Sequence, residues 1–391
     1  MRVYLWFHFV GSCAGTICYN LNDMIDRIDP SKIRKVAINT GGGDAPGLNA
    51  VIRAATLASL RQGWEVYGIS HGYRGLFDMQ GLIPLTRERV RGITHLGGTI
   101  LGTANRGNPF EFPVKTDQGT SVVDISDHIV ENFHRAGFDV LICIGGDGSL
   151  RIAQKFIEKG IPIIGVPKTI DNDLAGTIIT FGFDTAVTTA TDAIDKVHST
   201  AESHERVMVV EVMGRYAGWI ALHSGLSGSA DVILIPEIPF DMNKVCEKVW
   251  ERENSGKHFT IVVCAEGAHP AGQGIMTKGE KEAGREVLLG GIAEYVAKEV
   301  SRLTGKESRS LVLGHLQRGG SPTTFDRLLG LRFGAAAVRC IQEGKCNAMV
   351  ALAPPAVKTI PISDAIKEMK LVPLACDTVL TARSLGISFG D

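Results

Sequence analysis

Three short apolar runs, Val36-Ala37-Ile38, Val140-Leu141-Ile142-Cys143-Ile144 and Ile161-Pro162-Ile163-Ile164-Gly165-Val166, each end in a turn of small and polar residues. The turns are Gly41-Gly42-Gly43-Asp44-Ala45-Pro46-Gly47, Gly145-Gly146-Asp147-Gly148-Ser149 and Pro167-Lys168-Thr169-Ile170-Asp171-Asn172-Asp173. Runs that are apolar at every position, not at every second one, belong to strands buried on both faces, which is the condition of a parallel sheet covered by helices. Helical patterns follow the first two turns, over Asn49 to Arg61 and Leu150 to Lys159. A second series of runs, Val207 to Val212, Asp231 to Ile235 and Thr260 to Ala265, repeats the arrangement. Strands alternating with helices predict an α/β fold of mostly parallel sheets, in which ligands lie beyond the carboxyl ends of the strands. All three turns are predicted to sit there.

The residue types in the turns suit a polyphosphate. Glycine lets the backbone approach phosphate oxygens and present N–H groups to them, and a following helix adds its positive N-terminal end. Asp147, set among glycines, suits Mg2+, which takes one or two protein carboxylates and fills its remaining positions with phosphate oxygens and water. In the third turn Asp171 or Asp173 can accept a hydroxyl proton, while Thr169 and Lys168 can hold a phosphoryl group in transfer. Asp173 is open to two roles, a turn-capping carboxylate or a metal contact.

Composition excludes other partners. A net charge of -1 leaves no broad basic surface for nucleic acid or anionic lipid, so an anion site must be local. The 8 cysteines form no CxxC pair, and Cys143 and Cys264 fall inside apolar runs, so reduced thiols in a cytoplasmic protein are expected. Neither GxxxxGK[ST] nor a full GxGxxG occurs, which removes the main sequence support for a P-loop ATPase or a dinucleotide-binding dehydrogenase. The apolar stretch Val3 to Val10 is short, broken by His8, and too short to span a membrane. Residues 1–32 are expected to be an extension or a mispredicted start, with Met24 a plausible true start.

Together the motifs resemble the 6-phosphofructokinase family: GGGDAPGLNAVIRA at the first turn, IGGDGS at the second, PKTIDND at the third, then VVEVMGRYAG (Val209 to Gly218) and GHLQRGGSP (Gly314 to Pro322). The GGDG turn alone also occurs in NAD and lipid kinases, whereas TIDND and MGR are specific. The resemblance runs from about Ile33 to about Met369. It implies a phosphofructokinase fold of two Rossmann-like α/β domains, a donor-binding one over 33–182 plus 321–367 and a sugar-phosphate-binding one over 183–320 plus 368–391.

The implied reaction is phosphoryl transfer from ATP, with Mg2+, to the 1-hydroxyl of fructose 6-phosphate, with pyrophosphate as the alternative donor. A catalytically silent sugar-phosphate sensor on the same fold is a further alternative, although its likeness would be expected to lack one of the reactive residues present here. By the resemblance Asp171 is the base, Thr169 and the Gly42 N–H contact the transferred group, and Asp147 holds the metal. Arg106, Gly146, Gly148, Ser149 and Lys168 complete the donor site. Arg206, Met213, Gly214, Arg215, Glu266, Arg309, His315 and Arg318 match the sugar-phosphate positions, with Arg215 also counted among the catalytic set. Arg206 and Arg309 are implied to reach into a neighbouring subunit, which makes the protein a homo-oligomer, dimer or tetramer. The family's basic effector pocket is reduced here, with Leu57 and His198 in place of two arginines and only Arg53 retained, so the usual effector response is not expected.

Overall fold

The computed structural model describes residues 25–104, 108–116, 119–278 and 288–391. Arg106, Val3 to Val10 and Met24 lie outside them.

Two sheets organise the chain. The larger has seven strands in the order Ala356–Pro361, Ala348–Ala353, Ile163–Pro167, Val140–Gly145, Lys35–Thr40, Glu65–Ile69 and Leu82–Pro84. Its five inner strands are parallel and only the two edge strands run antiparallel. The smaller has four parallel strands in the order Ser308–Val312, Val207–Val212, Thr260–Ala265 and Val232–Leu234. This is the α/β architecture that the apolar runs predict.

Both faces of the larger sheet are buried. Val36, Ile38, Ile142, Ile144, Ile164 and Val166 pack to one side with the helices Leu48–Arg61 and Thr324–Gln342. Ala37, Leu141, Cys143, Ile163 and Met349 pack to the other with Phe133 and Phe156. The alternate residues of each strand thus enter different cores, which is why every position in these runs is apolar.

The three strands that carry the glycine-rich and acidic turns are immediate neighbours, spaced about 4.8 Å apart. After Lys35–Thr40 the chain runs to Glu65–Ile69 on one side, while Val140–Gly145 lies on the other, so a topological switch point opens between the first and second turns. The smaller sheet repeats the device, since MGR follows Val207–Val212, Glu266 follows Thr260–Ala265, and the Gly314–Arg318 turn follows Ser308–Val312.

A polar clamp joins the helices at the two crossings between the sheets. The buried Asp326 carboxylate accepts from the Thr185 amide at 2.8 Å and its hydroxyl at 2.6 Å, and the Thr323 hydroxyl donates to Asp184 at 2.6 Å. Asp326 thus caps the start of the helix Phe183–His204 from the other crossing, while the helix Thr324–Gln342 is capped by its own Thr323 hydroxyl, which accepts from the Asp326 amide at 3.3 Å.

The helix after the second turn begins earlier than its apolar pattern indicates. It spans Asp147–Glu158, so Asp147, Gly148 and Ser149 form its first turn instead of preceding it. Their backbone N–H groups are thus among those left without intrahelical partners, the arrangement that binds anions.

Candidate active site

Convergence of the three turns can be measured atom by atom. Gly42 has φ +74°, a backbone region that side-chain-bearing residues rarely enter, and a Cβ there would lie 3.4 Å from both the Lys168 ammonium and the Ser149 hydroxyl. A Cβ at Gly146 would meet Lys168 O at 3.1 Å. Lys168 donates to Gly43 O, and Thr103 donates to Gly42 O, so the loop leading toward Arg106 packs on the first turn. One small volume is therefore bounded by Gly42, Gly43, Gly146, Ser149 and Lys168. Among the described residues nothing lies within 4 Å of the place a Gly148 Cβ would take.

The third turn is held in a bent form. Asn172 adopts φ +53°, so Asp171 and Asp173 are separated by a left-handed turn, not by the simple alternation of a strand. The Thr180 hydroxyl donates to Thr169 O at 2.7 Å, its amide donates to Asn172 Oδ1 at 3.2 Å, and the Asp171 amide donates to Thr169 Oγ1 at 3.1 Å. The two carboxylates face partly different neighbours. Beyond the Asp173 charge, Asp171 senses Arg318 and Glu266, on the smaller-sheet side, whereas Asp173 senses Asp147, and both sense Lys168.

Burial sets the protonation of this cluster. It is the main force raising the Asp171 carboxyl to about 7, with the Asp173 charge next and the Arg318 and Lys168 cations opposing. Asp173 is raised as well, chiefly by burial. Lys168 is lowered to about 8, first by burial and then by Arg318. Asp171 Oδ1 and Asp173 Oδ1 are both buried without a hydrogen-bond partner among the described residues. Two such oxygens beside a buried cation fit a ligand that brings hydrogen-bond donors or a metal to them.

On the smaller-sheet side, Arg318 reaches across to donate to Asp44 O at 3.1 Å, linking the last turn of the smaller sheet to the first turn of the larger. Glu266 is raised mainly by burial and then by Glu211, and is opposed by Arg215 and Arg318. The Met213 amide donates to Gln317 Oε1 at 3.3 Å and the Gly267 amide to Gly214 O at 3.1 Å. His315 lines an open cleft of about 650 Å³ with Leu313, Leu316, Gly319, Gly320 and Thr189.

Two of the expected residues are not brought to this place. Arg206 precedes the strand Val207–Val212 and Arg309 lies near the start of Ser308–Val312, whereas Met213, Gly214 and Arg215 follow the carboxyl end. A rise of about 3.3 Å per residue puts Arg206 roughly 20 Å from Met213. Both arginines pair instead with Glu307, Arg206 at 2.8 Å, just ahead of an edge strand that is largely exposed. Within one chain they cannot complete the site.

Sequence reasoning passed over Gln317, the fully buried member of the GHLQRGG turn that bonds the MGR turn, and Glu211, whose buried carboxylate accepts from the Gly291 and Ala293 amides at the start of the helix Ile292–Thr304. A polar residue inside a motif was the available signal for both. His198, matched to a lost effector arginine, bonds Gly228 O at 2.7 Å.

For a metal, no group of three or more His, Cys, Asp or Glu side chains among the described residues forms a ready-made cage. Asp147 pairs with Arg151 at 2.8 Å and is close enough to Asp173 to raise its pKa. A one- or two-carboxylate set of this kind fits a cation that arrives with phosphate oxygens, as Mg2+ does.

Comparison with known proteins agrees with this geometry. The profile of the family described as Phosphofructokinase matches residues 35–341. The ATP-dependent 6-phosphofructokinase 2 of Clostridium perfringens (strain 13 / Type A) is 51% identical over 363 residues, 92% of this chain and 99% of that protein. The pyrophosphate–fructose 6-phosphate 1-phosphotransferase of Amycolatopsis methanolica is 48% identical over 341 residues, 87% of this chain and 96% of that protein. The crystal structure of Pichia pastoris phosphofructokinase in the T-state superposes with a TM-score of 0.74 at 32% identity, covering 86% of this chain and 35% of that longer one.

Proposed function

The chain belongs to the phosphofructokinase family, and from that premise we propose that it is an ATP-dependent 6-phosphofructokinase, converting fructose 6-phosphate to fructose 1,6-bisphosphate. The observation that carries the reading is the buried, partnerless Oδ1 of Asp171, placed between the phosphate-binding turns and the Arg318–Glu266 side of the site.

In the proposed reaction the donor phosphates lie along Gly42, Gly43 and the first turn of the helix Asp147–Glu158. Thr169 and the Gly42 N–H hold the terminal phosphoryl group, and Lys168, kept beside Gly43 O, faces the leaving phosphate. Asp171 accepts the proton of the sugar 1-hydroxyl as that oxygen bonds to phosphorus and the bond to the leaving oxygen breaks. Asp147 is the residue to hold Mg2+, which neutralises phosphate charge when bound. Arg215, Arg318, Glu266, Met213, Gly214 and His315 orient the sugar phosphate.

Pyrophosphate is the second reading, favoured by Lys168, which puts a cation beside a compact leaving group. Purified enzyme assayed with ATP and pyrophosphate in parallel separates the two. Turnover of fructose 6-phosphate with neither donor overturns both.

Arg206 and Arg309, roughly 20 Å from the rest of the site along the strand, are proposed to serve the site of a neighbouring subunit. The exposed edge strand that carries Arg309, with Val312 and Leu316 beside it exposed as well, supports a partner on that face. Mixing inactive Asp171→Asn chains with inactive Arg206→Ala chains under exchange conditions is then expected to restore activity, because some hybrid sites are intact. Verified hybrids without recovery would count against shared sites.

A further inference from the structure

The segment that follows the last helix of the larger sheet passes between the two halves of the site, and one lysine in it makes contacts that the reaction scheme does not use. Met369 forms an antiparallel bridge with Leu174, and the Lys370 amide donates to Asp173 O at 2.9 Å. The Lys370 ammonium donates to Asn172 Oδ1 at 2.7 Å, to Ile178 O at 2.8 Å and to Thr177 O at 3.1 Å, which uses its full complement of three donors. Its own carbonyl accepts from the Trp219 indole at 2.9 Å, and its ammonium lies 5.6 Å from the centre of that ring. Trp219 is the first residue of the helix that follows the MGRYAG turn. Two residues on, the Val372 amide donates to Glu237 Oε1 at 2.8 Å, and Glu237 also accepts from the Gly218 amide at 3.0 Å.

We propose that Lys370 is a positioning residue for phosphoryl transfer: it locks the left-handed turn at Asn172 that aims Asp171, and ties that turn to the start of the Trp219 helix on the acceptor side. The inference rests on the reading of Asp171 as the base. Three features carry it. Among the described residues, the Asn172 side chain at φ +53° is held by the Thr180 amide and the Lys370 ammonium alone. Asparagine is among the few side-chain-bearing residues that enter this conformation, and here its amide oxygen accepts from both the Thr180 amide at 3.2 Å and the Lys370 ammonium at 2.7 Å. The ammonium also pays a desolvation cost, lowered to about 8 by burial with only Asp173 opposing, and His223 on the Trp219 helix senses its charge. A surface cation would avoid that cost.

The test compares Lys370→Met with Lys370→Arg and with Asn172→Gly, which keeps the positive φ while removing the acceptor. Lys370→Met is expected to lower kcat about 10–100-fold, the size of effect a displacement near 1 Å produces, with KM for both substrates changed less than about threefold. Lys370→Arg should recover part of kcat. Asn172→Gly should reproduce the loss, and the double variant should be no worse than either single one. A readout independent of turnover is hydrogen exchange across residues 169–180, which should quicken in Lys370→Met whatever the enzyme phosphorylates. If Lys370→Met fails to fold, Asn172→Gly carries the same comparison. Unchanged exchange with kcat within about twofold of wild type in the folded variant overturns the positioning role and leaves the assignment of Asp171 standing, whereas faster exchange without any fructose 6-phosphate turnover in wild type would fault that assignment alone.

Discussion

Asp171→Asn is expected to lower kcat about 10²–10⁴-fold while KM for fructose 6-phosphate stays within a few fold. The change preserves shape, so the turn held by Thr180 and Lys370 has no reason to move. What it removes is the atom that can take the hydroxyl proton. Uncatalysed deprotonation of a sugar hydroxyl is unfavourable near neutral pH, and the remaining rate would come from phosphate positioning alone. A variant within tenfold of wild type would move the base elsewhere, with Asp173 the next candidate.

The same carboxylate sets the acid limb of the pH profile. Its folded pKa is raised from 3.8 to about 7, so in the free enzyme kcat/KM should rise nearly tenfold per unit up to about pH 7 and then level. Asp171 and Asp173 influence each other, so the limb belongs to the pair. The sign for stability is opposite. Between pH 3.8 and about 7 the folded state holds more protons than the unfolded one, so stability from this site is present below that window and is lost as pH rises through it. Asp171→Asn is therefore expected to raise Tm relative to wild type at pH 8 and to have no such effect at pH 4. Equal Tm differences at both pH values would show that the raised pKa is not realised.

How far the sequence revealed this arrangement depends on distance along the chain. Runs such as Val140 to Ile144 declare a strand buried on two faces, and a turn directly after such a run must lie at its carboxyl end, so the donor side of the site was legible from local pattern alone. Sheet order was not local information: nothing in the runs themselves says that the strands before Gly41, Gly145 and Lys168 are neighbours. The early helix start at Asp147 was masked because Gly148 and Asp147 are poor helix formers in isolation, yet an acidic residue in a first turn is favourable against the helix dipole. Lys370 lies 198 residues from Asn172, and its role is visible only once the chain has returned. Arg206 and Arg309 illustrate the opposite case, in which the motif match assigns a role that one chain's geometry cannot fulfil by itself.

Gly148→Asp is expected to reduce kcat/KM for ATP about 10²–10³-fold while reducing that for pyrophosphate far less. The Lys168 ammonium suits a compact leaving group and the glycine at 148 suits a nucleotide phosphate, so the two positions point to different donors, and space decides between them. Among the described residues nothing stands within 4 Å of where a Cβ at residue 148 would be, which suits a volume beside the helix start that the α-phosphate of a nucleotide can occupy and pyrophosphate does not need. A carboxylate placed there would meet a phosphate charge at about 4 Å, worth about 4 kcal/mol at an effective dielectric of 20, or about three decades in kcat/KM. The substitution carries little folding cost that could confuse the result. Position 148 is in the first helical turn, where an aspartate interacts favourably with the dipole, and it requires no positive φ. Lys168 does not oppose this reading, because an ammonium beside Gly43 O can neutralise the leaving phosphate of either donor. Wild-type enzyme with a higher kcat/KM for pyrophosphate than for ATP would reverse the donor assignment while leaving the acceptor, the base and the role of Lys370 in place.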